Sequence, residues 1–165
     1  MKAGSHLGKL KMLIMDVDGT LTDGKIYIGP QGELFKAFSV KDGYGIKLLR
    51  EAGIKTAIIT ARVSEIVDIR SRELGIDEVV QGAENKLEKY EEIKRKYGLT
   101  DEEIGYVGDD MNDREILERA GSKFAVNNCA EELKPIVHFI SRSDGGNGAV
   151  REIIAYILNN RNSES

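Results

Sequence analysis

The sequence predicts an α/β protein: a Rossmann-like, doubly wound parallel sheet flanked by helices, with a β-hairpin inserted after the first strand. Three observations carry this. Short, nearly continuous apolar runs recur along the chain, the pattern of strands buried on both faces. Between them lie stretches with apolar residues at helical spacing, and most of these stop at a glycine. One early segment breaks the alternation with turn residues in place of a helix.

Residues 10–17 (LKMLIMDV) read as the first strand. The arms 25–28 (KIYI) and 33–38 (ELFKAF) flank Gly29-Pro-Gln-Gly32, so 25–38 reads as a hairpin above the C-terminal end of that strand. Residues 45–52 carry Ile46, Leu48 and Leu49 at helical spacing and end at Gly53. The next strand is 55–60 (KTAIIT), followed by a helix over 63–74 stopped by Gly75. A strand at 78–81 (EVVQ) leads to a helix over 85–97 stopped by Gly98. Thr100-Asp-Glu-Glu103 has the form of a capping box opening a short helical turn. Strands at 104–107, 123–126 and 137–140 follow, with a helix over 111–120 ended by Gly121 and a closing helix over 149–160. Strands alternating with helices in this way make βαβ units and a parallel sheet. Residues 1–8 and 160–165 are expected to fray.

The 165 residues suit one domain, 1–165, with a tail from about 141, and bury enough surface to need no disulfide or metal staple. The single cysteine, Cys129, excludes an intramolecular disulfide framework and suits a reducing compartment, hence the cytoplasm. No apolar run reaches the ~20 residues of a membrane span. The N-terminal stretch lacks the apolar segment of an export signal. There are 24 Lys+Arg against 28 Asp+Glu, net charge −4, with no basic block and no Trp, which argues against nucleic acid as a partner. The expected protein is soluble, with neither a membrane nor a nucleic acid as its target.

The chemistry begins at Asp16-Val-Asp-Gly-Thr20, at the end of the first strand. Residues i and i+2 of a strand face the same way, so Asp16 and Asp18 can converge on one site. Gly19 allows the sharp turn there, and Thr20 can bond backbone or phosphate oxygen. Paired carboxylates repel one another, which a divalent cation would relieve. Thr60 ends the second strand of the sheet, Lys86 opens a helix, and Gly108-Asp-Asp-Met-Asn-Asp113 follows the strand at 104–107. Alone, Thr60 reads as a strand-end cap, Lys86 as a solvated lysine and Asp113 as an acid favourable in a helix's first turn. Gathered on one sheet edge, these carboxylates, hydroxyl and lysine supply what phosphoryl transfer needs.

In this order and spacing, Asp16-x-Asp18, Thr60, Lys86 and Gly108-Asp109-x-x-x-Asp113 resemble the four motifs of the haloacid dehalogenase superfamily of phosphotransferases, over about residues 10–126. The resemblance implies a metal-dependent phosphatase working through an aspartyl-phosphate. Asp16 would be the nucleophile, and Asp18 the acid for the leaving alkoxide and then the base for water. Mg²⁺ would lie among Asp16, the Asp18 backbone carbonyl and Asp109. Thr60 would bond a phosphoryl oxygen, and Lys86 would balance Asp16 and the transferring group. Asp110 and Asp113 would stand behind them, fixing Lys86 or a water at the metal.

Many members of that superfamily carry a cap domain after the first or second motif. Here about 40 residues separate Thr20 from Thr60, and about 26 separate Thr60 from Lys86, too few for one. Cover must come from a macromolecular substrate or from neighbouring subunits. The hairpin favours subunits, because Ile26, Tyr27, Ile28, Leu34, Phe35 and Phe38 make it too apolar to stand alone in water. Ser39-Val-Lys-Asp-Gly-Tyr-Gly-Ile46 further resembles a signature of the 3-deoxy-D-manno-octulosonate 8-phosphate phosphatases, a capless subgroup whose hairpins pack together in fours.

Arg62, Arg70 and the stretch from Asp144 to Glu152 extend that likeness over nearly the whole chain. It implies a homotetramer acting on a small sugar acid phosphate in lipopolysaccharide biosynthesis. Arg62 and Arg70 would clamp the sugar carboxylate, as guanidinium geometry favours. Ser39, Val40, Lys41, Asp42, Gly43 and Lys47 would line the same pocket as Asp18 and Lys86, from this subunit or the adjacent one. Lysine stands at 41 and 47 where the subgroup commonly has arginine, keeping the charge and losing the planar fork. The glycine-rich stretch 145–148 would be a mobile tail entering a neighbouring site.

A phosphatase for a nine-carbon ulosonic acid 9-phosphate is the nearest alternative. A receiver-type signalling domain is more remote: it would need an acidic pair upstream of the acceptor strand, whereas here the acids lie downstream.

Overall fold

The computed structural model describes residues 6–162. The chain runs β1 (Met12–Met15), β2 (Tyr27–Gly29), β3 (Gly32–Phe35), α1 (Val40–Glu51), β4 (Lys55–Ile59), α2 (Glu65–Leu74), β5 (Glu78–Val80), α3 (Lys86–Lys96), β6 (Ile104–Gly108), α4 (Arg114–Arg119), β7 (Ser122–Ala125), β8 (Phe139–Ile140) and α5 (Ala149–Asn160). Six strands form one parallel sheet in the order β5-β4-β1-β6-β7-β8, with β2 and β3 a separate antiparallel hairpin. All four residues of β1 are buried, since helices cover both faces, and Met12 pairs with Lys55 on one side and Ile104 on the other.

From β1 the chain first winds outward through β4 and β5, then returns to build β6, β7 and β8 on the far side. The βα loops after β1 and β6 therefore diverge to opposite faces of the sheet. The crevice between them, at the strands' carboxyl ends, is where ligands bind in such sheets. The predicted α/β class and its hairpin insertion are what the chain adopts.

Several boundaries differ from the sequence expectation. Helix α1 begins at Val40 rather than Gly45, because the Ser39 hydroxyl accepts the Asp42 N–H and caps a turn made of polar residues and glycine. The hairpin strands are shorter than their predicted arms, and the register slips between Tyr27 and Ile28. The segment 111–120 opens as a 3₁₀ turn, Met111–Asp113, before α4, because the Asp113 carboxylate folds back onto the backbone N–H groups of Asp109 and Asp110. Gly121 is needed for a different reason from a helix stop. Its N–H bonds the Asp101 carbonyl at 2.7 Å, and a Cβ there would press on the backbone of Glu102.

The expected fraying of 1–8 fails at Leu7, which is fully buried in the core; of the two ends expected to fray, 1–8 and 160–165, residues 1–5 and 163–165 lie outside the described residues. The closing helix, α5, packs along α1, where Gly45 lets Arg151 and Ile154 approach closely. No helix among the described residues is long and apolar enough to cross a membrane.

Candidate active site

At the end of β1 the chain turns at once: the Val17 carbonyl accepts the N–H groups of Thr20, Leu21 and Thr22. Thr22 Oγ1 in turn accepts from Gly19 N and Gly24 N at 3.2 Å each. Gly19 has φ +85°, and a Cβ on it would collide with the Asp109 carboxylate, so the loop after β1 touches the loop after β6 only because this residue is glycine. The expected mobile tail closes this loop from behind instead. Gly146 N bonds the Thr20 carbonyl at 3.1 Å, Gly145 N bonds Asn128 Oδ1 at 3.0 Å, and a Cβ on Gly145 would collide with the Gly19 carbonyl. That stretch is a packed brace of its own subunit's loop.

Lys86, on the first turn of α3, reaches across the sheet edge with its side chain 4 % exposed. Its ammonium donates to Asp16 Oδ1 at 2.9 Å and to Asp113 Oδ1 at 2.8 Å. Asp113 is fully buried and saturated. Besides Lys86, it accepts from the Tyr106 hydroxyl and from Asp109 N and Asp110 N at 3.0 and 3.3 Å. Asp110 turns away, its carboxylate capping Met111 N.

Carboxylate oxygens of Asp16, Asp109 and Asp113 lie within 4.8 Å of one another. Burial, and next the Asp113 charge, push the Asp16 carboxyl above the usual range; burial, and next the Asp16 carboxyl, do the same to Asp109. For Lys86, burial alone would weaken the charge, but the Asp16 and Asp113 carboxylates outweigh it and hold the ammonium more firmly protonated than a free lysine. The donor set of Asp16 and Asp109, hard oxygens crowded together without enough protein donors, fits a divalent cation. Asp113 has its lone pairs spent on four donors and fits a supporting role.

Around these groups lies a cleft of about 250 Å³ lined by Asp16, Asp18, Thr60, Arg62, Lys86, Asp109 and Asn112, among others. Thr60, 2 % exposed, follows β4 with its N–H bonded to the Val80 carbonyl. Arg62, two residues on, is exposed at the mouth. Sequence reasoning missed Asn112, which sits in the 3₁₀ turn beside Asp113, and Lys36. Lys36 follows β3 and places Nζ 2.8 Å from Asp18 Oδ1 and 3.1 Å from Glu33 Oε2. Nothing in the sequence spacing marks Lys36, because it reaches the site through the hairpin and not from a sheet edge.

The remaining predicted residues gather elsewhere. Val40, Gly43, Lys47 and Arg70 line a separate hollow of about 420 Å³ between α1 and α2, with Tyr44, Arg50 and Glu73. Arg70 lies over the Phe38 ring, against the Ser39 carbonyl and Glu73, and not beside Arg62. Gly43 is glycine because the Arg70 guanidinium crosses it. Lys41 is exposed, and its carbonyl accepts from Arg151. Asp42 is 2 % exposed, and its Oδ1 accepts the Arg151 N–H at 3.0 Å, so that oxygen caps the start of α5.

The site and sheet order together define a phosphotransferase-type α/β fold, and comparison with known families agrees. Residues 56–153 match the haloacid dehalogenase-like hydrolases, and the chain belongs to that family. It is 42 % identical over 149 residues to the 3-deoxy-D-manno-octulosonate 8-phosphate phosphatase KdsC of Escherichia coli K12, covering 90 % of this chain and 79 % of that one. The crystal structure of the phosphatase of the same name from Moraxella catarrhalis, in complex with magnesium ion, phosphate ion and KDO, superimposes with TM-score 0.94 at 38 % identity, over 98 % of this chain and 92 % of that one. The Yersinia pestis phosphatase superimposes with TM-score 0.93 at 39 % identity, over 96 % and 86 %.

Proposed function

We propose that this protein is a cytoplasmic, magnesium-dependent phosphoric monoester hydrolase. It converts 3-deoxy-D-manno-octulosonate 8-phosphate to the free sugar acid and phosphate through an aspartyl-phosphate on Asp16. The observation that carries the reading is the buried Lys86 ammonium shared by Asp16 and Asp113 beside Asp109, in a chain so similar to enzymes of that name. Asp16, Asp109 and the Asp18 backbone carbonyl would hold Mg²⁺, which supplies charge neutralisation between the nucleophile and the phosphate.

The rest falls to side chains. A carboxylate oxygen of Asp16 attacks phosphorus opposite the sugar oxygen; that P–O bond breaks, and Asp18 gives its proton to the departing alkoxide. Lys86 holds Asp16 in place and balances charge on the transferring group, and the Thr60 hydroxyl donates to a phosphoryl oxygen. Asp18, now a carboxylate, takes a proton from water as the water oxygen attacks phosphorus. The bond from phosphorus to Asp16 breaks, releasing phosphate and restoring the Asp16 carboxylate and the protonated Asp18. Asp113 and Asp110 position this machinery through Lys86 and the turn after β6.

Arg62 at the mouth suits the sugar carboxylate. The hollow lined by Val40, Gly43, Lys47 and Arg70 is separate from the catalytic cleft of its own chain, so its cations reach a substrate only from a neighbouring copy. The hairpin supports such an assembly, a homotetramer by resemblance: Ile28 is 70 % and Leu34 62 % exposed, with Ile26 and Phe35 beside them. Ser39, Lys41 and Lys47 would act from that neighbour.

Purified protein with Mg²⁺ should release phosphate from the octulosonate 8-phosphate faster than from a nonulosonate 9-phosphate. Chelator should stop turnover, and Asp16→Asn should abolish it. A preference for the nine-carbon ester would select that alternative, and no release from any sugar acid phosphate would overturn the substrate assignment.

A further inference from the structure

Lys36 joins two parts of the molecule that the catalytic motifs leave unconnected. Its stem is packed away, with the side chain 4 % exposed, while its ammonium bridges Asp18 and Glu33. Glu33, on β3, has its other oxygen, Oε1, bonded by the Ser64 hydroxyl. Ser64 is the N-cap residue of α2, yet its side chain caps nothing there, because the hydroxyl is given to the hairpin. An unbroken chain of polar contacts thus runs from Asp18 through Lys36 and Glu33 to the start of α2.

The chemistry of the bridge is specific. Two carboxylates held to one nitrogen at 2.8 and 3.1 Å lie within about 6 Å of each other, where they repel without the ammonium between them. Lys36 takes Asp18 Oδ1, which fixes the plane of the carboxyl and leaves Oδ2 for proton transfer. A general acid works only within hydrogen-bond reach of the leaving oxygen, so a fixed plane is worth rate.

We propose that Lys36 is a positioning residue for Asp18, and that through Glu33 and Ser64 the seating of the β2–β3 hairpin sets the orientation of the acid–base carboxylate. The proposal rests on the reading of Asp18 as general acid. A fully exposed ion pair would do little of this, but here the lysine side chain is largely covered and its ammonium is shared by two part-buried carboxylates.

The test is the dependence of kcat/KM on leaving-group pKa, measured with Mg²⁺ over a series of substituted phenyl phosphates. These esters share one shape and lack a carboxylate, so sugar recognition drops out. Because kcat/KM stops at the first irreversible step, later water attack drops out as well. Lys36→Met should cost roughly 10–100-fold for the most basic phenol and under about 3-fold for the most activated, part of the 10²–10⁴-fold that general acids supply. The slope steepens, and Lys36→Arg, which keeps the charge, recovers most of the loss.

A parallel drop along the whole series, an unchanged slope, or no recovery with arginine would overturn the proposal. Asp18→Asn is measured alongside. If it steepens the slope and Lys36→Met does not, the proposal alone falls; if it leaves the slope unchanged, the acid reading falls and takes the proposal with it. Should Lys36→Met fold poorly, Lys36→Gln keeps the comparison, with the same outcomes deciding.

Discussion

Replacing Asp113 with asparagine changes one atom and almost no volume, so it leaves no cavity and isolates the electrostatics of the buried hub. The wild-type carboxylate accepts from Lys86 and Tyr106 on Oδ1, and from the N–H groups of Asp109 and Asp110 on Oδ2. An asparagine amide placed at Oδ2 would turn two backbone donors against a donor. Placed at Oδ1 it faces Tyr106, whose hydroxyl can rotate and accept, and Lys86, which cannot. The second orientation is cheaper, and its cost is one charge-assisted hydrogen bond plus half the counter-charge of a buried ammonium. Bonds to charged groups contribute about 1.5–3 kcal/mol, and breaking a buried pair outright costs about 3–5. Lys86 keeps Asp16, so with Mg²⁺ present to offset the repulsion among the three carboxylates the expected loss is roughly 2–4 kcal/mol. At about 2–4 °C per kcal/mol for a chain of this size, the melting midpoint falls by roughly 5–15 °C. Urea unfolding followed by circular dichroism reads the same quantity directly, and turnover should fall at least tenfold as Lys86 loosens from Asp16. A loss below about 1 kcal/mol with turnover intact would refute the assignment of Asp113 as the group that holds Lys86.

Leu34→Asp puts a charge on the exposed face of the hairpin; light scattering should show the assembly falling toward monomers, with kcat/KM on the sugar acid phosphate reduced at least tenfold. A monomeric wild type would end the shared-site reading. His6 has its pKa lowered to about 4 by burial and by the His138 ring, tilted against it with centroids 4.0 Å apart, so the unfolded chain binds the proton more tightly. Stability should therefore drop as pH falls from about 6.5 toward 4, then level off, by roughly 1–2 kcal/mol after allowing for partial exposure. The raised carboxyls of Asp16 and Asp109 act with the opposite sign. The measurement is accordingly the difference between wild type and His6→Gln melts, and a flat difference would refute the burial argument.

What could be read from the sequence divides along a physical line. Strands buried on both faces announce themselves as apolar runs, and residues at their carboxyl ends share one edge whatever the loops do. Asp16, Thr60 and Asp109 are therefore legible as residues that follow strand ends, and the helix stops at Gly53, Gly75 and Gly98 all have positive φ as glycine C-caps do. The start of α1 is hidden because its first turn, Val40-Lys-Asp-Gly, has no apolar period; only the Ser39 cap signals it. Resemblance places Asp42 at the substrate, and nothing local shows that α5 arrives from about a hundred residues away to use one of its oxygens. Lys36 escaped for the same reason. Contacts between an insertion and the sheet depend on how the insertion folds back, which periodicity does not encode.

Three aspartates with the same side chain meet at the sheet edge, and what each can do is decided by its neighbours. Asp113 has four protein donors and no capacity left for an ion. Asp109 and Asp16 have few, and burial drives both toward neutrality for want of a counter-charge. Three carboxylates against one ammonium leave two negative charges uncompensated in a nearly dry space. Protonation would remove them, but only by spending the nucleophile that the proposed reaction requires. A single divalent cation removes them and keeps Asp16 ionised, so that an arriving phosphate dianion meets Lys86, Arg62 and a neutralised cradle. The acid excess that argues against nucleic acid as a partner is, at this sheet edge, the feature that makes room for the metal.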